Sequence, residues 1–217
     1  MTLAHAVTFT ALTVATGVAA AQTRNIHFEL VQAARTGAET TVRALLDQGA
    51  NPNSRNRLGD TPINLAARDG HVGMAKLLLE RGADANLQNL AKVTPLMSAA
   101  YGGHTEILRL LLARKPALDR IDRMQKTAMM YAAGNGHADC VQALLDAGID
   151  VNTRYSDDTT ALMWAAGYGH ASTVKLLLAR GAAVGPKDSR GKTALAIAAD
   201  EKQLAVANLL RTAGAKE

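Results

Sequence analysis

The chain has a single cysteine, Cys140, which excludes an intrachain disulfide and any cysteine-cluster metal site. Aromatic residues make up only 3% of the 217 positions while 48% are hydrophobic, so a core must be built from alanine and leucine and not from large rings. That composition suits helices packed at close range. The sequence has no glycine-rich phosphate loop, no HExxH and no Gly-x-Ser-x-Gly. It also lacks a cysteine–histidine pair placed for nucleophilic attack, so no enzyme, metal site or cofactor is expected. Residues 1–21 carry no Lys, Arg, Asp or Glu and end in Ala19-Ala20-Ala21. They predict a secretory signal cleaved after Ala21, too short and too rich in Thr and Ala to span a membrane. The expected destination is a bacterial periplasm or the exterior, with the cytoplasm as the alternative if the leader is not a signal.

What the chain does have is a period of 33 residues. Gly70-His71 returns as Gly103-His104, Gly136-His137 and Gly169-His170, and Ala66-Ala67 returns as Ala99-Ala100, Ala132-Ala133, Ala165-Ala166 and Ala198-Ala199. Thr61, Thr94, Thr127, Thr160 and Thr193 keep the same step, as do the leucine pairs from Leu78-Leu79 to Leu177-Leu178. Such a period signals a solenoid, in which a unit buries its apolar face only by stacking on its neighbours. Within the unit, Thr61-Pro62 is an N-cap followed by proline at the first helical position, and Gly70 ends the helix. A second helix spans 72–81 with Met74, Ala75, Leu77, Leu78 and Leu79 on one broad face. Residues 54–60, with Asn56 and Gly59, read as a hairpin-like connection.

These units resemble ankyrin repeats: a TPLH-like start, an alanine pair, a Gly-His turn, a leucine-rich second helix and a GADVN-like end. The resemblance covers about residues 25–217 and implies an all-α repeat solenoid of six stacked helix-turn-helix units with β-hairpin-like fingers. The expected domain is 22–217, with an N-terminal cap at 25–53, full units at 54–86, 87–119, 120–152 and 153–185, and a C-terminal cap at 186–217. In the last unit Lys202-Gln203 stands in place of Gly-His, and Lys115-Pro116 stands where Gly82-Ala83, Gly148-Ile149 and Gly181-Ala182 stand in other units. A lysine before proline is disfavoured in a left-handed slot, which predicts a distorted helix end there. His71, His104, His137 and His170 are too far apart to share a metal, since neighbouring units are separated by ~8–10 Å. The resemblance gives them the role of steadying the inter-helix turn. It also puts in doubt the bonds made by the TPLH histidine, because Asn64, Met97, Met130, Met163 and Ala196 hold its place.

The net charge of +5 coincides with that of the five finger windows (54–60, 87–93, 120–126, 153–159, 186–192), which hold ten Lys/Arg and five Asp/Glu. Arg55, Arg57, Lys92, Arg120, Arg123, Lys126, Arg154, Lys187, Arg190 and Lys192 are therefore expected to form a basic strip beside the concave face. The residues after each alanine pair, which the family turns towards its ligand, include Arg68, Tyr101, Asn135 and Tyr168. Tyr101, Tyr155 and Tyr168 are the expected anchors, while Trp164 and Tyr131 are expected to wedge between units. The resulting reading is a monomeric, non-catalytic scaffold that binds another protein with an acidic surface. Two alternatives are an inhibitor or immunity-type protein blocking one enzyme or toxin, and a binder of anionic lipid or nucleic acid through the fingers. Nucleic acid is not expected as the partner, because of the leader.

Overall fold

The computed structural model describes residues 26–216, so the leader and its expected cleavage after Ala21 lie outside the described residues. Helix α1 covers residues 26–35 of the described chain. It is followed by α2 (Glu39–Asp47), α3 (Pro62–Asp69), α4 (Val72–Glu80), α5 (Pro95–Gly102), α6 (Thr105–Leu112) and α7 (Ala128–Gly134). The remainder are α8 (Ala138–Asp146), α9 (Ala161–Gly167), α10 (Ala171–Ala179), α11 (Ala194–Asp200) and α12 (Leu204–Thr212). Among the described residues there is no strand.

Each full unit begins the same way because threonine caps it. The hydroxyls of Thr61, Thr94, Thr127, Thr160 and Thr193 accept from the backbone N–H three residues on, at 3.2 to 3.4 Å. Asn64 restores part of what the missing TPLH histidine would do. Its Oδ1 accepts from the Thr61 hydroxyl at 2.6 Å, and its Nδ2 donates to the carbonyls of Leu87 and Val93 in the next unit. At Gly136 the backbone turns left-handed, φ 77°, and a Cβ there would lie 2.5 Å from the His170 ring. Two independent reasons thus keep that side chain absent.

Two layers result. The inner helices α3, α5, α7, α9 and α11 pack in sequence order, and the outer helices α2, α4, α6, α8, α10 and α12 do the same behind them. The alanine pairs from Ala66-Ala67 to Ala165-Ala166 are fully buried where inner helices approach each other, whereas in the last unit Ala198 is buried and Ala199 exposed; Leu78, Leu111, Leu144, Leu177 and Leu210 form a buried column between the layers. Each such leucine contributes ~1.5–3 kcal/mol by leaving water. Cys140 is likewise buried, in a column with Met74, Ile107, Thr173 and Val206, and burial pushes its thiol pKa up.

Two departures are informative. Lys115 does take the left-handed conformation, φ 52°, and its N–H still reaches the Leu112 carbonyl at 2.9 Å. The expected distortion is therefore confined to α6 ending one residue early and to a missing bond. Elsewhere the residue after the left-handed slot donates back into the helix, as Ala83 does to Leu78, but Pro116 has no N–H to donate. In the last unit Lys202 likewise adopts φ 58°, and the Gln203 side chain sits against Gly169 where a histidine sits in other units.

Candidate binding surface

Four of the five fingers are shaped by an Asn or Asp side chain. In the first, Asn56 Oδ1 accepts from the N–H groups of Leu58 and Asp60 at 2.8 and 2.9 Å. Asn89, Asp122 and Asp188 repeat that pair of bonds in their own fingers. The signal was present in the sequence as an Asn or Asp at the 33-residue step, broken only by Tyr155. There the loop tightens instead into a 3-10 turn, Ser156–Asp158, with Asp157 and Asp158 both at positive φ. Successive tips are tied by single backbone bonds, Leu90 N–H to Leu58 O at 2.9 Å and Arg123 N–H to Ala91 O at 3.0 Å, which align them in a row without forming a sheet.

The expected strip of ten cations is thinner than the sequence indicates. Arg55 donates to the carbonyls of Gly59 and Gln88 at 3.0 and 2.6 Å, and Arg154 donates to Asp158 and to the Lys187 carbonyl. Both clamp one finger to the next. Arg190 pairs with Asp188, and Lys192 with Asp200. Lys126 lies over the rings of Tyr131 and Trp164, 5.6 and 4.8 Å from their centroids. Arg57, Lys92, Arg120, Arg123 and Lys187 are exposed and have no side-chain partner among the described residues. On the inner helices Arg68 is held by its neighbour Asp69, and that hydrogen bond keeps the Asp69 carboxyl below its usual range.

The tyrosines also divide. Tyr101 and Tyr168 are each 58% exposed, Tyr101 edge-on to Tyr131 and Tyr168 stacked on Trp164 at 6.0 Å. Tyr155 does not stand out with them. Its ring packs against the core, its hydroxyl is buried without a partner, and burial pushes the phenol up to about 12. Tyr131 and Trp164 are half-buried as expected, bonded to Asp122 and Thr159, and Tyr131 is likewise pushed up, by burial first and then by Asp122.

Asn135 belongs to the lock between units. Its Nδ2 donates to the Tyr101 carbonyl at 2.9 Å, and His137 Nε2 donates to the same oxygen at 3.0 Å. His104 and His170 reach the Arg68 and Gly134 carbonyls in the same way, so these histidines tie each turn to the preceding unit. A carbonyl can only accept, which assigns the proton to Nε2 in each. Among the described residues no group of three or more His, Cys, Asp or Glu is placed to hold a metal, and no helix is long and apolar enough to cross a membrane.

Sequence reasoning missed the apolar tips. Leu58, Leu90 and Met124 are exposed on three successive fingers, where the charge count had drawn attention to lysines and arginines. Beside them a groove of about 500 Å³ runs between the fingers and the inner helices, bordered by Leu58, Leu90, Ser98, Tyr101, Arg123 and Tyr131. A second hollow, about 390 Å³, lies near the C-terminal end against Trp164, Tyr168, Ile197 and Glu201.

A family model described as "Ankyrin repeats (3 copies)" matches the chain over residues 19–89, 81–155 and 152–216. Among curated proteins no match is found.

Proposed function

The chain belongs to the ankyrin-repeat family, whose repeats are protein–protein interaction modules, and from that premise we propose that it is a non-catalytic scaffold. It grips an acidic partner protein between its finger tips and inner helices. The observation that carries this reading is the groove bordered by both an exposed tyrosine, Tyr101, and an unpaired cation, Arg123. Tyrosine and arginine combine apolar area with a polar handle, and unpaired charge steers encounter and falls in effect with salt. The chain acts as a monomer after export, its leader having been removed. Its effect on the partner is steric and electrostatic.

The test is affinity capture from extracts of the native compartment with the chain and with a triple variant, Tyr101→Ala, Arg123→Ala, Tyr168→Ala. A partner that the variant loses, and that added salt releases from the unaltered chain, supports the reading. A partner retained equally by both baits means that another face does the binding.

A further inference from the structure

Resting on the reading above, we propose that the groove at the first three fingers is an anchor pocket for one leucine- or phenylalanine-sized side chain of a partner segment that carries a carboxylate beside it. One residue creates the groove. At the same position in the inner helices the chain has Leu65, Ser98, Tyr131, Trp164 and Ile197, so a short side chain stands in a column of large ones. Ser98 leaves open the volume that a leucine or aromatic ring fills elsewhere, and its hydroxyl has no hydrogen-bond partner among the described residues. The walls are apolar and exposed: Leu58, Leu90 and the ring of Tyr101.

Three charged groups border the groove, and two are already engaged. Asp60 is buried, with its carboxylate oxygens taken by Asn56 and Asn89 at 3.1 and 2.7 Å, and Arg68 is paired with Asp69. Only the Arg123 guanidinium is unpaired, and it asks for an anion at the rim. The apolar surface also continues past the groove to Met124 on the third finger. Successive units are ~10 Å apart, so a single small molecule would leave much of that row uncovered. An extended polypeptide covers it, seating an apolar residue in the pocket and a carboxylate on Arg123.

The full chain is used to select from a phage-displayed library of short random peptides, and winners are synthesised and titrated by fluorescence anisotropy. Winners are expected to share a large apolar residue with Asp or Glu within a few positions. Ser98→Leu, which fills the pocket, and Leu90→Ser, which strips its wall, each weaken them about tenfold or more. Arg123→Glu shifts selection towards basic flanks. Thermal melts confirm that each variant is folded, and Leu90→Ser, at an exposed tip, keeps the test decisive if Ser98→Leu disturbs the stack. Absence of enrichment, or winners without the apolar–acidic pair, overturns the proposal. Winners indifferent to all three changes but weakened by Tyr168→Ala also overturn it while leaving the concave scaffold intact. Winners indifferent to every concave substitution remove both.

Discussion

Thr173 offers the sharpest test of the packing argument. It lies in the first turn of α10 with 0% exposure, in the column occupied by Met74, Ile107, Cys140 and Val206 in other units. Its Oγ1 is buried without a hydrogen-bond partner, not even the helix's own carbonyls. An unsatisfied buried hydroxyl costs ~1–3 kcal/mol. Valine has nearly the same shape and replaces that oxygen with a methyl, so Thr173→Val is expected to stabilise the stack by about 1 kcal/mol or more. In a domain of this size that is roughly 2–4 °C in Tm per kcal/mol. Thr173→Ser separates polarity from shape: it keeps the hydroxyl, loses a methyl and destabilises by about 1 kcal/mol. Urea titrations followed by circular dichroism give the midpoints, and an unchanged slope shows that the same surface unfolds. A valine variant no more stable than the parent, or a serine variant more stable than the valine one, would refute the assignment of Thr173 as an unpaired polar group in an apolar column.

Further outcomes follow from the turns and from burial. Gln125 sits at φ 59° in the finger slot that holds Gly59 and Gly191 in other units. Gln125→Gly should stabilise by about 0.5 kcal/mol, the left-handed strain of ~1–2 kcal/mol less the ~0.5–1 kcal/mol entropic penalty of glycine, as read by denaturant midpoint. Gly136→Ala should cost ~2 kcal/mol or more, because it adds that strain to a collision with His170; a melt within error of the parent would contradict it. Burial keeps the Tyr155 phenol protonated up to about 12, against ~10 in the unfolded chain, so the folded state retains a proton that the unfolded state releases between those values. Stability should be intact below about pH 10 and decline as pH rises through that window. Tyr155→Phe should flatten the decline in urea midpoints only in part, because Tyr131 is raised in the same direction.

Much of the architecture was legible because its causes are local. A threonine cap, a proline at the first helical position and a glycine at the turn act within four residues of themselves, and recurrence at 33 residues then announces stacking. Lys115 is where local logic misjudged the outcome. The flanking helices hold the turn, so lysine is driven into the left-handed region, and the disturbance is limited to α6 ending one residue early and to the bond that proline cannot make. The binding surface was less legible. Counting charge marked all ten finger cations alike, yet Arg55 and Arg57, two residues apart and chemically identical, have different roles because only Arg55 lies within reach of the Gln88 carbonyl.

By itself, then, the order of residues determined what each unit is, where its helices start and stop, and that the units stack, since these follow from interactions between near neighbours repeated in phase. Only the tertiary structure decided which side chains are available to a partner. Pairing across units brings together residues about one period or more apart, such as Asn135 and His137 on the Tyr101 carbonyl. It turns Tyr155 inward while leaving Tyr101 and Tyr168 exposed. The groove at Ser98 has the same origin. A serine is small anywhere in a chain, but it opens a cavity only where the neighbouring units set large side chains around it.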